Sequence, residues 1–79
     1  MIKELHMEYT EFLRQMERIL EMEENNLNGT EALRDLPGWD SLAVLGLQAW
    51  VDATFQTRLD VLALASATTL EDVWRLIAK

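Results

Sequence analysis

Apolar side chains recur every three or four residues through the first quarter of the chain. This spacing is that of one helix face, and it predicts an amphipathic helix from about residue 3 to about residue 23. The apolar positions are Leu5, Tyr9, Phe12, Leu13, Met16, Ile19 and Leu20. The opposite, polar side carries Glu4, Glu8, Glu11, Arg14, Glu17, Arg18 and Glu21. The pairs Glu11–Arg14, Arg14–Glu17 and Arg18–Glu21 are each three residues apart, which allows local ion pairs. The asparagine- and glycine-containing segment 25–29 is expected to end this helix.

A long loop, residues 24–39, follows the first helix, and Leu27, Leu33 and Leu36 are expected to pin it to the core. Asp40 is a good N-cap residue for a second helix, because its carboxylate can accept a backbone N–H two or three residues later. Either Thr68 with Glu71 or Thr69 with Asp72 marks the start of the last helix. The predicted helices span about residues 3–23, 41–56, 61–65 and 70–78, which makes the chain all-α.

The second helix is predicted to have two apolar faces. At about 100° per residue, Val44, Leu47, Val51 and Phe55 fall in one narrow sector, which is the expected core stripe. The opposite side holds Leu42, Leu45, Ala49 and Ala53, with Gly46 among them. A surface helix normally carries charges there, so this second face needs another helix or a partner protein to cover it.

Size and composition exclude several classes of protein. The 79 residues are expected to form one domain, residues 1–79, and the absence of cysteine excludes disulfides and thiolate chemistry. The net charge of −7 argues against nucleic acid and anionic membranes as partners. No calcium or zinc ligand spacing is present. Without a predicted membrane span or signal peptide, a cytoplasmic protein is expected.

Ser41 is the candidate functional residue. It lies at the start of the second helix, directly after the turn Leu36-Pro37-Gly38-Trp39 and the capping Asp40. Backbone N–H groups and the helix dipole favour a phosphate ester at such a position. A nucleophilic serine would need a base, and the one histidine, His6, lies far away in the sequence. The pattern therefore indicates a serine that is modified, with a simple helix cap as the alternative.

The three tryptophans have different expected roles. Trp74 is expected to pack in the core, and Trp50 lies between the two faces of the second helix. Trp39 either shields the loop or flanks a group attached to Ser41.

The segment Gly38-Trp39-Asp40-Ser41-Leu42 resembles the GxDSL signature of acyl carrier proteins and peptidyl carrier domains. The resemblance extends over essentially the whole chain and implies a four-helix bundle with a short third helix. It implies that Ser41 carries 4′-phosphopantetheine, which a phosphopantetheinyl transferase takes from coenzyme A. The thiol of this arm would hold an acyl or aminoacyl group as a thioester. In some relatives the growing chain folds back between the helices into the core.

The resemblance also implies a monomeric, non-catalytic carrier that is read by a loading enzyme and by a downstream synthase or transferase. The candidate docking residues are Trp39, Asp40, Leu42, Leu45 and Ala49. The fatty-acid carriers display several acids along the second helix. Here Ala43, Gly46, Ala53 and Thr54 take much of that surface and Asp52 is the main acid left. This departure indicates a specialised pathway that makes a polyketide, a nonribosomal peptide or a modified fatty acid.

Two other classes of function compete with a carrier. A small helical interaction module would use the second apolar face to bind a partner helix and would need no modification. A hydrolase would use Ser41 with His6, but it would lack an orienting acid and an oxyanion loop.

Overall fold

A computed structural model describes the backbone of residues 2–78 and the side chains of residues 8–78. The predictions for Glu4, Leu5 and His6 therefore concern side chains outside the described part. Within residues 2–78, four α-helices follow one another, and a single 3₁₀ turn lies in the first loop. They are α1 (Ile2–Ile19), the 3₁₀ turn (Leu33–Asp35), α2 (Ser41–Phe55), α3 (Val61–Ala65) and α4 (Leu70–Ile77). The predicted all-α bundle with a short third helix is confirmed.

Helix α1 ends earlier than the predicted residue 23. Glu21 adopts a left-handed conformation with φ 58°, and its N–H donates to the Arg18 carbonyl at 3.2 Å. The Met22 N–H donates to the Glu17 carbonyl at 2.7 Å. These two bonds form a Schellman motif, which satisfies the last carbonyls of the helix. The helix therefore stops before the asparagine-rich segment that was expected to end it.

Glu17 was assigned to the solvent side of α1, and this prediction is wrong, because only 1% of the residue is exposed. Its carboxylate accepts hydrogen bonds from the N–H groups of Asn25, Asn26 and Leu27 at 3.2, 2.9 and 2.8 Å. Arg14 adds an ion pair at 2.8 Å and a hydrogen bond at 2.9 Å. Burial raises the pKa of Glu17, but the bonds from Leu27, Arg14, Asn25 and Asn26 outweigh it and hold the pKa below its ordinary value.

The loop between α1 and α2 is pinned as predicted. Leu27, Leu33 and Leu36 are buried, with 4, 5 and 8% of their surface exposed. The loop also pairs with the start of α4, where the Leu70 N–H donates to the Glu31 carbonyl at 3.2 Å and the Leu33 N–H donates to the Thr68 carbonyl at 2.8 Å. These backbone bonds hold the loop to α4 without a β-sheet.

Gly29 fixes one corner of this loop. Its φ of 108° is one that other residues rarely adopt, and a Cβ there would overlap the Tyr9 hydroxyl. That hydroxyl donates to the Asn28 carbonyl at 3.2 Å. A glycine is therefore needed at this position both for the backbone conformation and for the contact with α1.

The core lies where α1, α2 and α4 meet. Its large, fully buried apolar side chains are Phe12, Met16, Leu47, Val51, Leu70 and Val73. An aromatic cluster covers it on one side, with neighbouring ring centroids 5.4–6.5 Å apart: Tyr9, Phe12, Trp50, Phe55 and Trp74. Trp74 packs against the core as predicted, although it stays half-buried.

The predicted core stripe of α2 is confirmed. Leu47 and Val51 are fully buried, and Val44 and Phe55 are half-buried against the core. The assignment of Ala43 to the outer surface is wrong, because only 6% of this residue is exposed.

The start of α4 settles the alternative left open by the sequence. Thr69 and Asp72 form a capping box in which each side chain accepts a backbone N–H of the other residue. The helix then ends at Ile77, and Ala78 is its C-cap.

Candidate functional site

The start of α2 holds Ser41 at the surface. The chain turns at Pro37-Gly38, where Gly38 has a φ of 85°, and reaches Asp40 in an extended conformation. The Asp40 carboxylate accepts the Ala43 N–H at 3.0 Å, and its carbonyl accepts the Val44 N–H at 3.0 Å. Asp40 is thus the predicted N-cap, and Ser41 is the first helical residue and is exposed.

The electrostatics of this helix end suit a phosphate ester. The first intrahelical bond comes from Val44, so the amides of Ser41 and Leu42 have no intrahelical acceptor. Helix α2 has 15 residues, and its dipole adds partial positive charge at this end. The first turn contains no acidic side chain. Asp40 contributes an adjacent negative charge, which is partly compensated by the N–H that it accepts. An anion covalently attached to Ser41 would therefore be stabilised by backbone amides.

Trp39 is half-buried and packs against the hydrophobic core. Its backbone N–H donates to the Leu36 carbonyl at 3.2 Å. These contacts support a role in fixing the loop that delivers Asp40 and Ser41 to the start of the helix.

The outer face of α2 is apolar and exposed. Leu42 is 76% exposed and Leu45 is 61% exposed, and Ala49 also lies on the surface. Two apolar residues of α3 are also exposed, Val61 at 54% and Leu62 at 83%. Val61 lines a groove together with Leu45 and Ala49. We call Leu42, Leu45, Ala49, Val61 and Leu62 the outer apolar face.

Sequence reasoning did not find the contribution of α3. The signal was present, because Asp60 caps a helix of five residues that are all apolar, Val61–Ala65. A single short helix cannot turn every side chain inward, so some of these residues must be exposed.

Two open grooves border the outer apolar face. One, of about 580 Å³, lies between the end of α1 and the start of α2. Its lining is Ile19, Leu20, Glu21, Gly38, Asp40, Leu42, Ala43, Leu45 and Gly46. The other, of about 450 Å³, lies between α2 and α3 and includes Gln48, Asp52 and Arg58. We call the first of these the α1–α2 groove. Its lining includes both sequence neighbours of Ser41, Asp40 and Leu42.

The described residues hold no cluster of histidine, aspartate or glutamate that could bind a metal ion. The proposed partner of a hydrolytic Ser41, His6, has a side chain outside the described part. None of the helices in residues 2–78 combines the length and the hydrophobicity that crossing a membrane requires.

Comparison with known families agrees with this geometry. The family model described as "Phosphopantetheine attachment site" matches residues 10–77. No curated protein and no solved structure gives a significant match. Proteins of this family carry covalently attached 4′-phosphopantetheine, are generally non-catalytic, and generally have a phosphopantetheinyl transferase and other enzymes as partners. The exposed serine at a helix N-terminus fits that group, and the chain belongs to the phosphopantetheine attachment-site family of acyl and peptidyl carrier proteins.

Proposed function

We propose that this chain is a non-catalytic carrier that tethers biosynthetic intermediates at Ser41 and passes them between enzymes. The observation that carries the proposal is an exposed Ser41 at the N-terminus of α2, inside a matched phosphopantetheine attachment domain. A tethered arm must leave the protein surface freely, and Ser41 is exposed.

The modification follows from the chemistry of the serine hydroxyl. Its oxygen attacks the phosphorus of coenzyme A that bears the pantetheine, and the bond from that phosphorus to the adenosine bisphosphate breaks. The hydroxyl proton passes to a base of the transferase. This chain contributes a presented oxygen and the amides of the first turn, which favour the resulting phosphodiester. The attached arm supplies a thiol that can hold an acyl or aminoacyl group as a thioester.

Partner enzymes are proposed to dock on Trp39, Asp40, Leu42, Leu45 and Ala49. The leucines offer apolar area that no described part of the chain covers, and such area is typical of a binding surface. The acids Asp35 and Asp40 are both exposed near Ser41 and favour a basic rim on the partner.

The rest of the outer surface of α2 is weakly charged. Gly46, Ala53 and Thr54 are exposed, and the exposed Asp52 is the acid that remains there. This composition favours apolar over electrostatic recognition and supports a specialised pathway with its own set of enzymes. The cytoplasmic location and the monomeric state expected from the sequence are part of this proposal.

Intact mass measurement tests the attachment directly. With coenzyme A and a promiscuous transferase, the chain should gain the mass of one phosphopantetheine. Ser41→Ala should abolish the gain, whereas Ser66→Ala should keep it, because Ser66 is the other serine of the chain and caps α3. An unmodified wild-type chain would instead favour the unmodified interaction module. Co-expression with the neighbouring genes would show the cargo in the same spectrum, which separates acyl from aminoacyl groups.

Transfer kinetics test the docking surface. Leu42→Ser or Leu45→Ser should lower kcat/KM for the cognate loading enzyme roughly tenfold or more, since burying one leucine is worth about 1.5–3 kcal/mol. Thr54→Ser is the control on the same helix, because Thr54 is exposed and lies outside the proposed surface. Equal kcat/KM values for all the variants would contradict docking through the leucines.

A further inference from the structure

The α1–α2 groove lies directly beside the attachment residue. Asp40 and Leu42, the two sequence neighbours of Ser41, both line it. The groove has about 580 Å³ of space and is open to solvent. Its wall is mainly aliphatic, from Ile19, Leu20 and Leu45. A group tethered to Ser41 is therefore held at high effective concentration at the entrance of an apolar groove.

Gly46 lies in this groove and has no local structural reason to be glycine. It belongs to the interior of α2, and it is absent from the positive-φ residues of the described chain. A Cβ there would lie 3.9 Å from the side chain of Ile19, which is ordinary van der Waals contact. Glycine in a helix interior costs about 1 kcal/mol relative to alanine. What glycine does achieve here is to leave the groove open between Ile19 and α2.

The interior of the bundle offers a tethered group less room. Phe12, Met16 and Leu47 have no exposed surface, and aromatic rings pack beside them. An acyl chain entering the core would have to displace these side chains, whereas the groove is already open. Displacing well-packed core residues is costly.

We propose that the α1–α2 groove holds a neutral, apolar acyl group carried on the arm of Ser41, which folds back against Gly46. This inference rests on the proposed carrier function and names where the cargo lies between transfers. The groove accepts aliphatic cargo through Ile19 and Leu45. It disfavours cargo with a free carboxylate, because Glu21 and Asp40 also line it. The acyl group thus lies on the surface of the bundle, where it is partly shielded from water.

Amide chemical shifts of the intact chain test the proposal. The chain is loaded from octanoyl-, malonyl- or free coenzyme A by the transferase, and each spectrum is compared with that of the form bearing the free thiol. Octanoyl loading should shift amides at residues 19–21 and 42–46 most strongly. Malonyl loading should shift them at least several-fold less. Gly46→Leu should remove the octanoyl-specific shifts while modification stays complete. Thr54→Leu adds the same side chain on the same helix outside the groove and should leave the shifts in place.

The outcomes separate this inference from the carrier function. A chain that never gains the arm overturns the proposed function itself. If the arm attaches, three results overturn the groove alone: octanoyl-specific shifts centred on Gln48, Arg58 and Leu59, shifts centred on the core residues Phe12 and Leu47, or shifts no larger than those of malonyl. Gly46→Ala is the second variant, in case leucine perturbs the helix. It should reduce the octanoyl-specific shifts less than Gly46→Leu does.

Discussion

Two regions depart from the usual rule that polar side chains are exposed and apolar ones buried. One is the carboxylate of Glu17 with the groups that donate to it, which we call the loop anchor, and the other is the outer apolar face. Glu17 is charged and 1% exposed, whereas Leu42 is 76% and Leu62 is 83% exposed. The difference lies in the partners that each region supplies. Glu17 receives donors from Arg14 and from three backbone amides, so its burial is compensated. No described part of the chain covers the leucines, and they remain at the surface.

This comparison separates two tasks within one small chain. The side formed by α1, the loop and α4 is tied by hydrogen bonds and holds α2 in place. The outer side of α2 and α3 contributes little packing and is left available for binding. If the proposed docking surface is used, stability and recognition depend on different residues, and substitutions should affect one without the other.

Removing the anchor should have the largest effect on stability. Glu17→Ala removes the acceptor of three loop amides and the ion-pair partner of Arg14, which keeps the Asn25 side chain and the Leu27 carbonyl as acceptors. Breaking a buried network of this kind costs about 3–5 kcal/mol. Urea titration measures this loss as a lower free energy of unfolding. Glu11→Ala, at an exposed position on the same helix, should change it by less than about 0.5 kcal/mol. Equal effects of the two variants would mean that the buried carboxylate does not stabilise the loop.

Two leucines on opposite faces of α2 give the next largest contrast. Leu47 is fully buried and Leu45 is 61% exposed. Leu47→Ala should lower the free energy of unfolding by about 2–4 kcal/mol, because it leaves a cavity in the core. Leu45→Ala should change it by less than about 0.5 kcal/mol. Thermal and urea unfolding of both variants check this. A large loss with Leu45→Ala would show that the outer apolar face belongs to the core.

Asp72 gives a comparison with Glu17, because its carboxylate is more exposed and is also held by hydrogen bonds. Hydrogen bonds from the side chain and the backbone of Thr68, and then from Thr69, lower the pKa of Asp72 from 3.8 to about 2. Because the folded-state pKa lies below the ordinary value, the stabilising contribution is complete above pH 4 and is lost as the pH falls towards 2. Asp72→Asn should therefore lose less stability than the wild type between pH 4 and pH 2. Urea unfolding at several pH values measures the free energy of unfolding of both proteins. The same decrease between pH 4 and pH 2 in Asp72→Asn and in the wild type would contradict the prediction.

Much of the fold follows from local signals in the sequence. The bounds of α3 and the starts of α2 and α4 agree with the prediction, because Asp60, Asp40 and Thr69 are capping residues whose effect is local. The core stripe of α2 follows from helical periodicity. Ser41 could be predicted as the candidate functional residue for the same reason. A serine just after an N-cap lies at the start of a helix regardless of how the helices pack.

The errors arose where tertiary contacts decide. The end of α1 depends on Glu21 in a left-handed conformation, which no residue type in that segment signals. The burial of Glu17 depends on amides 8–10 residues away that the loop brings back to it. The grooves and the exposed residues of α3 depend on how the helices pack, and the sequence pattern alone does not define that.

Gly46 and Gly29 offer the smallest and most specific contrast between the two regions. Gly46→Ala should raise the free energy of unfolding by about 0.5–1 kcal/mol, because the new methyl group reaches only ordinary contact with Ile19 while the helix gains propensity. Gly29→Ala should lower it by about 1 kcal/mol or more, because φ is 108° and the methyl group would overlap the Tyr9 hydroxyl. Urea unfolding of the unmodified proteins measures both changes. A glycine that lowers stability in the groove that Asp40 and Leu42 also line is consistent with a groove kept open for binding. If Gly46→Ala is destabilising instead, the glycine is required by packing, and its place in the groove no longer supports a binding role.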